Sequence, residues 1–84
     1  MWIRSQNKYC LMNCKNVVVY QDIKMNKFVI ITNDGTNISD VNDVILGIYS
    51  TKEKALKVLD QIVEEINYGD LQNVFEMPQD EEVE

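Results

Sequence analysis

The apolar residues change their period along the chain, and the change divides it in two. Up to Tyr49 they fall in short β-branched and aromatic runs. Trp2–Gln6 predicts a first strand, with Trp2, Arg4 and Gln6 on one face and Ile3 and Ser5 on the other. Asn7-Lys8 suits a turn, and Tyr9–Met12 is a short apolar piece after it. Val17-Val18-Val19-Tyr20 and Phe28-Val29-Ile30-Ile31-Thr32 are the clearest strands, joined by a polar hairpin loop over Gln21–Asn26. Asp34-Gly35 is a strong turn pair, and the Asn- and Asp-rich stretch to Asp43 reads as an exposed loop. Val44–Tyr49 predicts a further strand, with Gly47 marking a bulge or a close approach.

From Thr51 the period becomes 3.6. Ala55, Leu59, Ile62 and Ile66 form an apolar stripe, widened by Leu56, Val58 and Val63, which predicts an amphipathic helix over Thr51–Asn67. Ser50 is placed to cap it, with Glu53 reaching back to complete a capping box. Asn67-Tyr68-Gly69 offers a stop. Leu71–Met77 then reads as a last strand, ended by Pro78. The expected fold class is α+β: a small antiparallel sheet of four to five strands, one amphipathic helix packed on one face, and a final edge strand. The expected domain spans residues 1–78, with an acidic, frayed tail over 79–84.

Eighty-four residues allow one domain with a small core. No apolar run is long enough to cross a bilayer. The opening Met-Trp-Ile-Arg-Ser-Gln lacks the order of a signal peptide, so a cytoplasmic location is expected, with no membrane partner. The net charge is −6, and Glu76, Asp80, Glu81, Glu82 and Glu84 hold five of the fourteen acids. The remaining nine acids nearly balance the eight bases. No basic stripe is present, which argues against sequence-specific nucleic acid as a partner.

Catalytic chemistry finds few residues to use. The chain has no histidine, so a Ser-His-Asp, Cys-His or two-His metal arrangement is excluded within it. Cys10 and Cys14 lack the Cys-x-x-Cys spacing and read as ordinary thiols. The Asp34–Asp40 stretch lacks the carboxylates of a calcium loop. No enzyme activity, cofactor or metal is expected.

Two groups carry the candidate ligand site. Trp2, Arg4 and Gln6 on one strand face would suit stacking and hydrogen bonding to a nucleotide or another small anion. The competing reading buries Trp2 in the core and pairs Arg4 with an acid. Ser50, Thr51 and Lys52 open the helix, where free amides attract anions. Plain capping competes there, and Glu53 would oppose an anion.

The valine-rich strands are apolar on both faces, and one helix covers only one. The other face needs a second copy or a sheet curled into a barrel, and a homo-oligomer is the expected solution.

Three segments carry a resemblance. The start Trp2-Ile3-Arg4-Ser5-Gln6, the helix entry Leu46–Asp60 with its Tyr49-Ser50-Thr51-Lys52-Glu53-Lys54-Ala55-Leu56 core, and the end Phe75-Glu76-Met77-Pro78-Gln79-Asp80-Glu81-Glu82-Val83 are similar to a family of small proteins of low-GC Gram-positive bacteria and their phages. The resemblance implies no particular activity. It implies an accessory role, including interference with host defence. The functional expectation is a non-enzymatic phage- or prophage-type binding protein that sequesters a small anionic ligand such as a signalling nucleotide. The alternative is an inhibitor or adaptor that binds a protein partner through an exposed β surface and the acidic tail.

Overall fold

The computed structural model describes residues 1–33, 44–69 and 73–83, with the side chain of residue 33 left out. The expected Asp34-Gly35 turn, the loop up to Asp43, the calcium-like stretch and the start of the last strand at Leu71 lie outside the described residues.

The class is α+β, and the strands form two three-stranded sheets instead of one. The first has the order β2-β1-β6: β1 (Trp2–Arg4) pairs antiparallel with β2 (Leu11–Asn13) and parallel with β6 (Val74–Glu76). The second has the order β3-β4-β5: β3 (Asn16–Asp22), β4 (Lys27–Asn33) and β5 (Val44–Tyr49), all antiparallel. The chain passes between sheets at Cys14 and Lys15. The sequence separates strands readily but holds no local signal that β1 pairs with a segment some seventy residues away; hence the expectation of a single antiparallel sheet.

Local chemistry explains the turns. Ser5 Oγ accepts from the Cys10 amide at 3.1 Å and donates to Asn7 Oδ1 at 2.6 Å, closing the β1–β2 connection while Lys8 takes a left-handed φ of 73°. Asp22 Oδ1 accepts from the Met25 amide at 3.1 Å and holds the β3–β4 turn.

Helix α1 (Lys52–Tyr68) lies against the second sheet. It buries Ala55, Val58 and Ile62, with Leu59 half-buried. Leu56, Val63 and Ile66, read as part of the core stripe, are 41 to 54% exposed. The core joins Ile3 of the first sheet, Ile30, Leu46 and Tyr49 of the second, the helix residues, and Met77 and Val83 from the C-terminal segment. Full burial of such side chains contributes roughly 1.5–3 kcal/mol each.

Gly47 fulfils both of its expectations. The β4–β5 register shifts at Ile30/Ile31, so Leu46 and Gly47 together oppose one β4 residue. A Cβ on Gly47 would meet the Tyr49 ring at 3.0 Å and Met77 Cε at 3.2 Å. The glycine clears the space in which the buried tyrosine lies, and Tyr49 Oη donates to the Pro78 carbonyl at 2.7 Å.

One expectation needs correction. The C-terminal segment is not a frayed tail through residue 83. Asp80–Glu82 form a 3-10 turn, and Val83 is buried in the core. The second face of the valine-rich sheet carries Val18, Tyr20, Val29, Ile31, Ile45 and Ile48. Val29 and Ile31 there are buried, Val18 and Ile48 are half-buried, and Tyr20 and Ile45 are exposed. No helix among the described residues is long and apolar enough to cross a membrane.

Candidate functional site

The short strand β1 sits in the centre of its sheet, so alternation gives it one buried and one outer face. Ile3 is fully buried inward. Trp2 and Arg4 point outward, flanked across the strands by Asn13 and Leu11 on β2 and by Val74 and Glu76 on β6. Trp2, Leu11 and Val74 are 43, 53 and 43% exposed. The chain's sole tryptophan therefore stands on the central strand of an outer sheet face, between Asn13 and the partly exposed Val74, with Leu11 on the diagonal.

A charged border adjoins them. Arg4 Nη1 lies 3.4 Å from Glu76 Oε1, and Lys8 Nζ lies 3.1 Å from Glu76 Oε2. Arg4 Nε also donates to the Lys8 carbonyl at 3.4 Å. The Lys8 ammonium bonded to it, joined by the charge of Arg4, holds the Glu76 carboxyl below the usual carboxylate range. These pairs are half-exposed and add little to stability. Their effect is to orient the guanidinium and to leave two bases against one acid on this border.

Gln6 does not join that face. β1 ends at Arg4, and Gln6 lies along the edge of β5 as a substitute strand residue. Its amide N–H donates to Leu46 O at 2.7 Å. Its side-chain oxygen accepts from Ile48 N at 2.9 Å, and its Nε2 donates to Ile48 O at 3.1 Å and Pro78 O at 3.2 Å. Gln79 Nε2 in turn donates to Gln6 O at 2.7 Å. A carboxamide matches a peptide group in donor and acceptor, so Gln6 ties both sheets and the C-terminal segment together.

The helix start is likewise engaged internally. Thr51, not Ser50, is the N-cap: its Oγ1 accepts from Lys54 N at 3.2 Å, and no capping box with Glu53 forms. Ser50 is drawn away by Asp80, whose Oδ1 accepts from Ser50 N at 2.9 Å and Ser50 Oγ at 3.1 Å. Lys54 Nζ lies 3.7 Å from the same oxygen and donates to Asp80 O at 2.9 Å. The Ser50 amide bond, with the hydroxyl and Lys54 adding to it, keeps the Asp80 carboxyl below its ordinary range. The protein's own carboxylate thus occupies the place offered to an anion. Lys52 is exposed in the first turn.

Of the six residues singled out from sequence, Trp2 and Arg4 share a surface, Gln6 and Ser50 are structural ties, Thr51 is a cap, and Lys52 stands apart from the first sheet's face. Leu11, Val74, Lys8 and Glu76 complete that face and were not foreseen. Only the cross-strand register brings them together. Among the described residues no group of three or more Cys, Asp or Glu side chains could hold a metal ion. The arrangement offers no nucleophile beside a base. It can stack, bury apolar surface and hold an acidic group. Among known proteins, no family model, curated protein or solved structure matches the chain, so its function has to be argued from its own geometry.

Proposed function

We propose that the protein is a non-enzymatic binding protein that docks a protein partner on the outer face of the β2-β1-β6 sheet. The observation that carries the reading is the position of Trp2. Tryptophan is highly buried on average, yet here it is 43% exposed on the central strand, next to Val74 and diagonal to Leu11. Aromatic and arginine side chains at the centre of an open patch are the residues on which protein interfaces concentrate their binding energy. Arg4 and Lys8 give this face a local positive excess on a chain of net charge −6. The fitting partner surface has an apolar centre and an acidic border. The phage-type accessory role implied by the resemblance, such as inhibiting a host defence protein from the cytoplasm, is the setting in which such docking would act.

Sequestration of a small anionic ligand, such as a signalling nucleotide, is the second reading. It is favoured by the half-exposed Arg4 beside Trp2, and it requires an anion to displace Glu76. The acidic tail contributes less to the docking reading than its composition suggests, since Asp80 is committed to Ser50.

The test uses protein purified from host cells. Native mass spectrometry reports any retained small anion, and captured proteins are re-tested as purified pairs. Stoichiometric binding of a purified protein that Trp2→Ala weakens by at least tenfold, with an unchanged circular dichroism spectrum, is the expected result. Binding that Trp2→Ala and Arg4→Ala both leave intact refutes the assignment of this face. A co-purified nucleotide whose retention needs Arg4 replaces it with the second reading.

A further inference from the structure

The two edges of the β3-β4-β5 sheet are finished differently. On β5, Gln6 occupies the outer edge through Leu46 and Ile48. On β3, no backbone hydrogen bond among the described residues reaches the outer edge. β3 is seven residues long and carries no proline, glycine, bulge or charged side chain between Asn16 and Gln21. Those are the usual means by which proteins stop an edge from pairing. A strand that lies beside β3 must also be apolar on both faces, because Val17 and Val19 face the core while Val18 and Tyr20 face away.

A second feature adjoins the same edge. On the helix side a cleft of about 210 Å³ opens between α1 and the chain where it enters β3, lined by Met1, Ile3, Lys15 and Val17 on one side and Val63 and Ile66 on the other, among others. Val63 and Ile66 at its rim are 49 and 54% exposed. Two of the three stripe residues that α1 leaves partly exposed, Val63 and Ile66, thus lie near the start of the open strand.

We propose that β3 pairs antiparallel with β3 of a second copy, giving one continuous six-stranded sheet. A symmetric antiparallel pair of identical strands needs a two-fold axis perpendicular to the sheet. Such an axis keeps the faces of the two copies on the same sides. It therefore sets the two α1 helices on one side of the sheet, flanking the axis, with their apolar clefts turned toward each other. An axis through Val19 uses all seven residues of β3. It places Val18 opposite Tyr20 of the partner subunit, a β-branched and aromatic pairing that stabilises sheets. β3 satisfies its own requirement for a neighbour of equal length, apolar on both faces, and a core as small as this one gains stability from the association. The inference concerns the other sheet from Trp2 and stands independently of the docking reading.

Light scattering tests it at micromolar concentration and after tenfold dilution. The expected mass at the higher concentration is that of two chains, twice 9.8 kDa. Tyr20→Glu, at a position already 40% exposed, should give the mass of one chain with an unchanged circular dichroism spectrum. Adding Val18→Lys sets opposite charges face to face across the axis and should restore the two-chain mass. Hydrogen exchange on the unaltered protein gives a readout without substitution: β3 amides that point away from β4 should be protected, and lose protection on dilution. A one-chain mass for the unaltered protein, a two-chain mass that Tyr20→Glu leaves intact, or no restoration by the double variant overturns the proposal.

Discussion

Replacing Gln6 with alanine should cost stability and leave any ligand affinity of the folded protein unchanged. The substitution removes three hydrogen bonds: from Ile48 N to Oε1, and from Nε2 to the carbonyls of Ile48 and Pro78. The Gln6 backbone bond to Leu46 and the Tyr49 bond to Pro78 remain. At about 1 kcal/mol net for each bond lost, the cost is ~2–4 kcal/mol, toward the upper end because the half-buried Ile48 peptide is left without partners. A chain of this size has about 4–13 kcal/mol of total stability. Urea unfolding followed by circular dichroism measures the change. With a slope of about 1 kcal/mol per molar urea, the midpoint should fall by ~2–4 M. Gln6→Glu separates the donor from the acceptor role: it can still accept from Ile48 N but cannot donate to either carbonyl, so it should rescue little. A midpoint for Gln6→Ala within about 0.5 M of the unaltered protein would refute the structural role assigned to this side chain.

Two further outcomes follow from the same contacts. Gly47→Ala forces a methyl against the Tyr49 ring and Met77 Cε, and should destabilise by ~1–3 kcal/mol in the same urea assay; an unchanged midpoint would mean that the two side chains move aside at no cost. The pH dependence has a defined sign: Asp80 is held below its ordinary value of 3.8 by the Ser50 amide first, so its contribution is complete above the unfolded pKa and is lost as pH falls through the folded one. Midpoints should be level above about pH 5 and fall below about pH 4, and Asp80→Asn should flatten that acid limb, leaving the part due to Glu76, which is depressed in the same direction by Lys8.

What could be read from the residues was local. The β-branched runs gave β3, β4 and β5 because their neighbours in sequence are their neighbours in the hairpins. The 3.6 period placed the helix within a residue at each end. The outward pairing of Trp2 with Arg4 follows from alternation alone. What escaped the sequence depended on distant partners. Ser50 has every property of a cap, but Asp80, thirty residues later, takes both its amide and its hydroxyl and leaves the cap to Thr51. Gln6 alternates in phase with Trp2 and Arg4, yet the strand ends before it and the β5 edge claims its amide. The apolar stripe of the helix is wider than the surface it packs on, so Leu56, Val63 and Ile66 stay partly exposed. Leu11, Val74 and Glu76 could not be assigned to a site before the register was known.

The parallel pairing of β1 with β6 bears on when the molecule becomes itself. Arg4 and Glu76 meet across a separation of 72 residues, and closing a loop of that length costs roughly 4 kcal/mol of chain entropy. β3, β4 and β5 can form hairpins as they are synthesised, and β1 can pair with β2 early. The third strand of the first sheet must wait until residues 74–76 have been made, and long-range closure of this kind is a late step in folding. Until then Trp2 has lost one flank, since Val74 is not yet beside it, and Arg4 has no Glu76 to hold its guanidinium. A partner that engaged this face would therefore distinguish chains in which β6 has docked on β1 from chains in which it has not.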